Sequence, residues 1–506
     1  MLDTRKVSKN AILLGGRTLF TVFLSFYVSR LLLLNLGETN FGIYSIVGSV
    51  IVLWGSLRGL FASSTQRFLN VASVNEDKSY SYKIFSNSLF IHIVIALIFL
   101  LLVGGIGTYL INNVLTIPNE AITQANVIFL ASLLSSVISV LTTPFDAAII
   151  AHERMGFFAL TSIIDVVGRL IIALCIPYTS IDKLIFWGCT YAVLVLFIRM
   201  AVVLYAKKHC PEVNFNPLRD SFILRELAKF AGWNFLGNTS FYIVSEGLNF
   251  ILNMFWGVAL NAARGIALQV QSGVSTFTGN IMTASDPQIC KLYAEGNFKS
   301  MMRLFSQSSR SLTYIYIAVA LPIIISASPI LNLWLKEVPP YTEEMVILML
   351  TYGFLRTFHS PLNSLFFATA KLKKYQITEL IIRTSTVILA FFFAKMSALP
   401  PHYVYVILCC TELINTFIII FVARIEFNFD IQAYLNIVLV PIGKVVVVLF
   451  IIYNCASCVP LVNTMHWIAT SSLAFIIICL VSFMIGLTSS ERATVKSMIT
   501  NKIKAL

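Results

Sequence analysis

Residues 84–111 read IFSNSLFIHIVIALIFLLLVGGIGTYLI, 28 positions without one Asp, Glu, Lys or Arg. A hydrocarbon core about 30 Å thick is crossed by about 20 helical residues, and an uncharged run of this length is the signature of such a crossing. The same ruler laid toward the N-terminus marks helices near 10–35 and 41–66. Toward the C-terminus it marks 121–150, 156–177, 183–205, 228–256, 259–289, 305–335, 343–369, 375–397, 402–424, 431–454 and 465–487. The sequence therefore predicts an all-α polytopic membrane protein with about 14 transmembrane helices and no extramembrane domain.

Composition agrees. Apolar residues make up 58% of the 506 positions and charged residues 12%, where a soluble domain carries about a quarter; mean hydropathy is +0.85. The net charge of +13 falls between apolar runs and forms no tract, so it reads as loop bias and not as a nucleic-acid surface. The basic start (Arg5, Lys6, Lys9) precedes an apolar run from Ala11 to Leu36 that is too long for a signal core and is interrupted by Arg17, so it is read as the first membrane helix. The nine cysteines are scattered. Cys455 and Cys458 have ligand-like spacing but lack a second pair or a nearby His, which allows a disulfide and disfavours zinc. No metal site and no cofactor are expected.

Basic residues orient the chain. With the N-terminus inside, the inner segments hold 25 Lys and Arg and the outer loops hold Lys183, Lys336 and Lys395. Both termini are then cytoplasmic. The connection near 206–228, polar and containing Pro211 and Pro217, reads as a cytoplasmic linker.

An internal repeat organises the helices. Lys83-Ile84-Phe85-Ser86-Asn87-Ser88 recurs 220 residues later as Arg303-Leu304-Phe305-Ser306-Gln307-Ser308. Pro144, Ala151, Arg154, Met155, Phe158 and Thr161 recur 217 residues later as Pro361, Ala368, Lys371, Leu372, Tyr375 and Thr378. A fainter echo links 61–66 to 282–288. Duplication of a six-helix unit predicts parallel bundles over 1–206 and 228–425, joined by the 207–227 linker, with 426–506 as two appended helices and a tail. Two such bundles with a cleft between them suit alternating access.

The same residues carry a family resemblance. Leu36-Gly37 followed by Phe41-Gly42-Ile43-Tyr44 resembles the first outer loop of polysaccharide flippases. Asn261-Ala262-Ala263-Arg264-Gly265-Ile266-Ala267 and Pro287-Gln288-Ile289 resemble the two ends of helix 8 in one bacterial branch of them. The chain is identified as similar to the polysaccharide transport family of the multidrug/oligosaccharidyl-lipid/polysaccharide exporter superfamily. The resemblance implies translocation of an undecaprenyl-pyrophosphate-linked oligosaccharide to the outer leaflet of a bacterial inner membrane. It also implies coupling to protons or sodium, and work alongside membrane lipids and a polysaccharide polymerase complex.

Ionisable groups inside the membrane are costly and face the bundle interior or a wet cavity. The candidates are Arg17, Arg30, Arg58, Arg169, Arg264, Arg356, Arg383 and Lys444, with the acids Asp146, Asp165, Glu246, Asp286, Glu379 and Glu412. An excess of arginine suits a pyrophosphate, because guanidinium stays charged on burial and grips phosphate through a planar fork. Arg58 and Arg356 have no acid one turn away and are the leading substrate ligands, with Arg30, Arg264 and Arg17 behind them; Arg30 and Arg264 could equally snorkel to the outer surface. Glu246 and Glu412 are the candidates for ion coupling. Asp165 with Arg169, and Glu379 with Arg383, sit at i, i+4 and read as structural pairs. Asp146 and Asp286 lie near inner ends, as solvated or capping groups. Lys444 could anchor its helix or meet a lipid head group. Gly55 and Gly59 permit close helix packing, and Pro322, Pro361 and Pro441 interrupt helical hydrogen bonding. Most aromatics face lipid or pack helices, and a few could stack on sugars.

Three functions compete. A multidrug exporter of the same superfamily would have twelve helices and an acid-rich cavity. A flippase for a peptidoglycan lipid precursor would share the fourteen helices and the arginines. A polytopic enzyme would need clustered catalytic groups, whereas His92, His152, His209, His359, His402 and His466 are dispersed and the outer loops are short.

Overall fold

A computed structural model describes residues 20–51, 65, 69, 78–152, 154–213, 220–368, 372–396, 399–427, 431–457, 467–489 and 491–493. Among these residues the secondary structure is helical throughout, with no strand. Ten segments are long and apolar enough to cross a membrane. The remaining four expected crossings have separate explanations. Residues 52–64 of the second lie outside the described residues, which also removes Arg58, Gly55 and Gly59 from view. The seventh and eighth form helices of 36 and 37 residues, long enough but more polar. The tenth breaks at Thr357–His359 into pieces of 15 and 9 residues.

The chain packs as two compact units, residues 1–265 with 383–401 and residues 266–382 with 402–506. The first unit contains α1 (Phe20–Ile51), α2 (Lys78–Asn113), α3 (Ile122–Leu141), α4 (Thr143–Ala151), α5 (Met155–Cys175), α6 (Lys183–His209) and α7 (Ser221–Trp256). The helix α8 (Val258–Ala294) begins there. The second unit holds α9 (Phe298–Ile325), α10 (Ala327–Leu335), α11 (Thr342–Arg356) and α12 (Ser360–Ala368). It also holds the first turns of α13 (Leu372–Met396) and all of α14 (Tyr403–Phe427), α15 (Ile431–Tyr434), α16 (Val440–Ser457) and α17 (Trp467–Val481).

Local chemistry sets the helix ends. Gly37 takes φ +78°, a left-handed value that ends one arm of α1 and starts the next. Asp182 caps α6 by accepting from the Leu184 and Ile185 amides at 2.9 and 3.0 Å, and Lys207, Lys208 and His209 occupy its last turn, where the helix dipole favours cations. Asp220 caps α7 through the Phe222 amide at 3.0 Å, and its own amide donates to Asn87 Oδ1 at 2.9 Å. Large apolar side chains stand exposed on the helices: Phe23, Leu101, Phe197 and Phe450 are each at least two-thirds uncovered. A soluble monomer cannot tolerate such a coat, whereas hydrocarbon solvates it.

The repeat is visible in bonds. Thr65 Oγ1 and Ser88 Oγ are 2.6 Å apart, and the residues 220 positions on, Ser285 and Ser308, hydrogen-bond at 2.9 Å. Phe85 meets Phe145 edge to face in the core of the first unit, and their counterparts Phe305 and Leu362 share the core of the second. Pro144 and Pro361 each occupy the second position of a nine-residue helix, α4 and α12, where a missing N–H costs nothing.

The appended helices are tied into the second unit. Pro441 has no N–H to give the carbonyl four residues back, and Arg310 Nη1 donates to that freed Ile437 carbonyl at 2.8 Å. The chain widens into a π-turn at Leu435–Leu439 just before it. Arg310 also pairs with Glu491, whose other oxygen accepts from the Thr488 amide at 2.8 Å, and Tyr314 donates to the Gly486 carbonyl at 3.1 Å. Ser326 and Ser471 hydroxyls meet at 2.7 Å. Pro322 lies close to the end of α9 and directs the turn into α10.

Two corrections to the charge reading follow. Arg199 and Arg310, counted with the inner loops, lie inside α6 and α9. Asp146 is not a solvated helix end: it accepts from Arg199 at 2.7 Å and is largely shielded. The loop bias survives their removal.

Candidate functional site

In the first unit, Glu246, Asn249 and Asn253 fall on one face of α7, and Asn261 and Arg264 follow in the first turns of α8 after the bend at Gly257 (φ +84°). All five are buried, as is Ser49 of α1. Arg264 donates to Ser245 Oγ at 2.8 Å and lies 3.8 Å from Glu246 Oε1, while the Ser245 hydroxyl donates to Glu246 at 3.0 Å. Asn261 donates to the Asn249 carbonyl and side-chain oxygen at 2.9 and 2.7 Å, and Asn253 donates to Asn261 at 2.9 Å. Asn249 reaches Ser49, and Asn253 Oδ1 accepts from the Thr116 amide at 2.8 Å. The helices too polar to pass as apolar spans are therefore the ones that carry this network. Arg264 is buried and does not snorkel, and Glu246 stands beside a cation. A paired charge wrapped in hydrogen bonds is how buried polarity is tolerated.

In the second unit, three ionisable groups converge from separate helices. His359 lies in the turn between α11 and α12, Glu379 on α13 and Glu412 on α14; all are at least 95% buried. His359 Nε2 is 3.5 Å from Glu412 Oε1 and 3.8 Å from Glu379 Oε1. Its Nδ1 is 3.2 Å from Thr416 Oγ1, whose hydroxyl donates to the Glu412 carbonyl at 3.0 Å. Asn415 donates to Glu379 Oε1 at 2.8 Å. Two buried carboxylates need positive charge nearby, which the buried Arg383, a protonated imidazole or a bound cation can supply.

The sequence paired Glu379 with Arg383 and set Glu412 apart. The structure adds His359 and Glu412 to Glu379, and Arg383 is buried four residues further along α13. In the sequence His359 reads as one of six dispersed histidines, because its partners are distant and no local pattern marks it.

The other candidates are placed as follows. Arg356 ends α11, half-buried, with its guanidinium 6.0 Å from the Tyr352 ring centre. Arg30 is half-buried in α1. Asp165 and Arg169 form an ion pair in α5, and Arg169 also lies 5.9 Å from the Tyr191 ring centre. Tyr191 stacks on Trp187, which meets Tyr44 edge to face. Lys444 is exposed on α16. Arg17, Arg58, the Asp286 side chain and Cys458 lie outside the described residues.

The fold is that of transporters of the MOP superfamily. The chain resembles an inward-facing multidrug resistance MATE family transporter of that superfamily, with TM-score 0.68, 14% identity, 80% of this chain and 94% of that one covered. It also resembles the lipid II flippase MurJ in an inward closed conformation, with TM-score 0.64, 14% identity, 93% and 98% covered. A MOP superfamily transporter from Pyrococcus furiosus matches with TM-score 0.59, 13% identity, 85% and 95% covered. Among curated proteins, the uncharacterized membrane protein EpsK of Bacillus subtilis is 21% identical over 378 residues, 74% of each chain. The sequence matches no protein-family model.

Proposed function

We propose that this protein is a flippase that moves an undecaprenyl-pyrophosphate-linked oligosaccharide across the bacterial inner membrane by alternating access, for O-antigen or capsule assembly. The observation that favours a flippase over a drug exporter is the extent of the structural likeness, while the oligosaccharide rests on the sequence resemblance at 36–44 and 261–267. The lipid II flippase covers 93% of this chain and the multidrug transporter 80%. The difference, 13% of 506 residues, is about 66 residues, enough for two further membrane helices. A fourteen-helix chain rich in intramembrane arginine is suited to a large anionic lipid. Arg58 and Arg356 grip the pyrophosphate, with Arg30 and Arg17 as further cations along its path, whereas Arg264, a candidate from the sequence, is held in its buried pair with Glu246.

Coupling is assigned to His359, Glu379 and Glu412, where two buried carboxylates meet one imidazole, with Arg383 four residues along from Glu379, and a proton or sodium ion would balance the remaining charge. Glu246, the other coupling candidate, faces Arg264 and has less need of an ion. In this reading both termini and the 207–227 linker lie in the cytoplasm, as the bias of basic residues suggests. A flippase for a peptidoglycan lipid precursor is the second reading, favoured by the same 93% coverage.

Complementation separates them. The chain is expressed in a strain lacking its oligosaccharide flippase, in one depleted of its peptidoglycan-precursor flippase, and in one sensitised to cationic drugs. Restored surface glycan alone supports the proposal. Rescue of growth in the second strain, or drug resistance in the third, would replace it.

A further inference from the structure

At the end of the first unit where α4 and α6 terminate, three side chains with different metal-binding atoms come together. His152 closes α4, Cys210 follows the last residue of α6, and Glu212 comes after Pro211. Both Glu212 carboxylate oxygens lie 2.9 Å from His152 Nε2, and one imidazole nitrogen, one carboxylate oxygen and Cys210 Sγ all lie within 4.8 Å of one another. Cys210 and Glu212 are buried, and the His152 side chain is 30% exposed. The backbone is fixed here: the Cys210 amide donates to the Ala206 carbonyl at 2.8 Å, and the Val213 amide to the Cys210 carbonyl at 3.1 Å.

We propose that His152, Cys210 and Glu212 form a zinc site that pins the start of the linker to the α4–α5 turn. The donor set selects the metal. Calcium and magnesium take oxygen ligands, whereas sulfur, imidazole and one carboxylate together suit zinc. Around zinc, bonds of about 2.0–2.3 Å place ligand atoms roughly 3–4 Å apart, so the present triangle needs adjustments on the order of an ångström. Zinc supplies the positive charge that a buried carboxylate beside a thiol requires, and water reaching the exposed edge of His152 completes four-coordination. Zinc is bound by the thiolate, so binding releases the Cys210 proton to solvent. The site lies outside the membrane-spanning helices and takes no part in the proposed coupling cluster.

Cobalt(II) is the probe, since it occupies zinc sites and reports a thiolate ligand through a charge-transfer band. Purified, metal-stripped full-length protein in detergent should bind one Co²⁺ per chain with that band, and stoichiometric Zn²⁺ should displace it. Cys210→Ser should abolish the band while eluting as the folded species. His152→Ala and Glu212→Ala should weaken binding by at least about tenfold. Cys455→Ser should leave the band unchanged. Absence of a thiolate band in the unsubstituted protein would mean that His152 and Glu212 form an ion pair only, and a band that survives Cys210→Ser would place the metal elsewhere; either result overturns the proposal.

Discussion

His359 Nε2 stands 3.5 Å from Glu412 Oε1 on the neighbouring helix α14, and both side chains are almost wholly buried. Glu379 lies 3.8 Å from the same nitrogen. An acid–imidazole–acid group of this kind changes its charge only by gaining or losing a proton or cation, and a helix arrangement that favours one charge state responds to that change.

Glu412→Gln and Glu379→Gln remove one negative charge each while keeping the shape. In vesicles with an imposed proton or sodium gradient, each variant is expected to transport at the rate the unsubstituted protein shows without a gradient. His359→Gln should act in the same direction. Gradient dependence preserved in all three would remove this cluster from coupling.

Glu246 is expected to behave differently. Glu246→Gln leaves Arg264 buried without its anion, and breaking a buried pair from one side costs about 3–5 kcal/mol. Thermal unfolding should move down markedly, and Glu246→Gln combined with Arg264→Met should recover part of the loss. A well-folded Glu246→Gln protein that had lost gradient dependence would return this acid to the coupling role.

Gly42 tests packing at the motif that carries the family resemblance. A Cβ there would lie 2.1 Å from the Val258 carbonyl oxygen, so backbone must move. Gly42→Ala should cost about 1–3 kcal/mol, read as a lowered unfolding temperature and less folded protein. Gly48→Ala, six residues on in the same helix, meets nothing within 4 Å and should be neutral or stabilising. Equal effects from the two would contradict the packing at Gly42.

What could be read from the chain follows the range of the forces involved. Apolar runs such as 84–111 and the Pro144/Pro361 spacing are local, and they carried the helices and the repeat as far as the Thr65–Ser88 and Ser285–Ser308 bonds. Cancellation of charge is not local. Arg310 reads as a loop residue among Ser306, Gln307, Ser308 and Ser309, because the partner that permits its burial, Glu491, lies 181 positions away. His359 reads as dispersed for the same reason, its two acids arriving from α13 and α14. That Arg264 and Glu246 meet is not legible either, since the bend at Gly257 brings α8 back toward α7.

Sidedness can be measured separately. Single cysteines placed in the 207–227 linker and near both termini should label only after the membrane is permeabilised, and one beside Pro339 should label from outside. Labelling of the linker from outside would reverse the assignment.

Transport itself tests the central claim most directly. Purified protein is reconstituted in vesicles holding an undecaprenyl-pyrophosphate oligosaccharide, and the glycan exposed on the far leaflet is scored with an impermeant glycosidase. The account predicts translocation by the unsubstituted protein, partial loss in Arg58→Lys and Arg356→Lys, which keep the charge without the fork, and abolition in Arg58→Ala and Arg356→Ala at equal levels of folded protein. Failure of the unsubstituted protein to translocate this lipid while moving a peptidoglycan precursor, or full activity in both alanine variants, would contradict it.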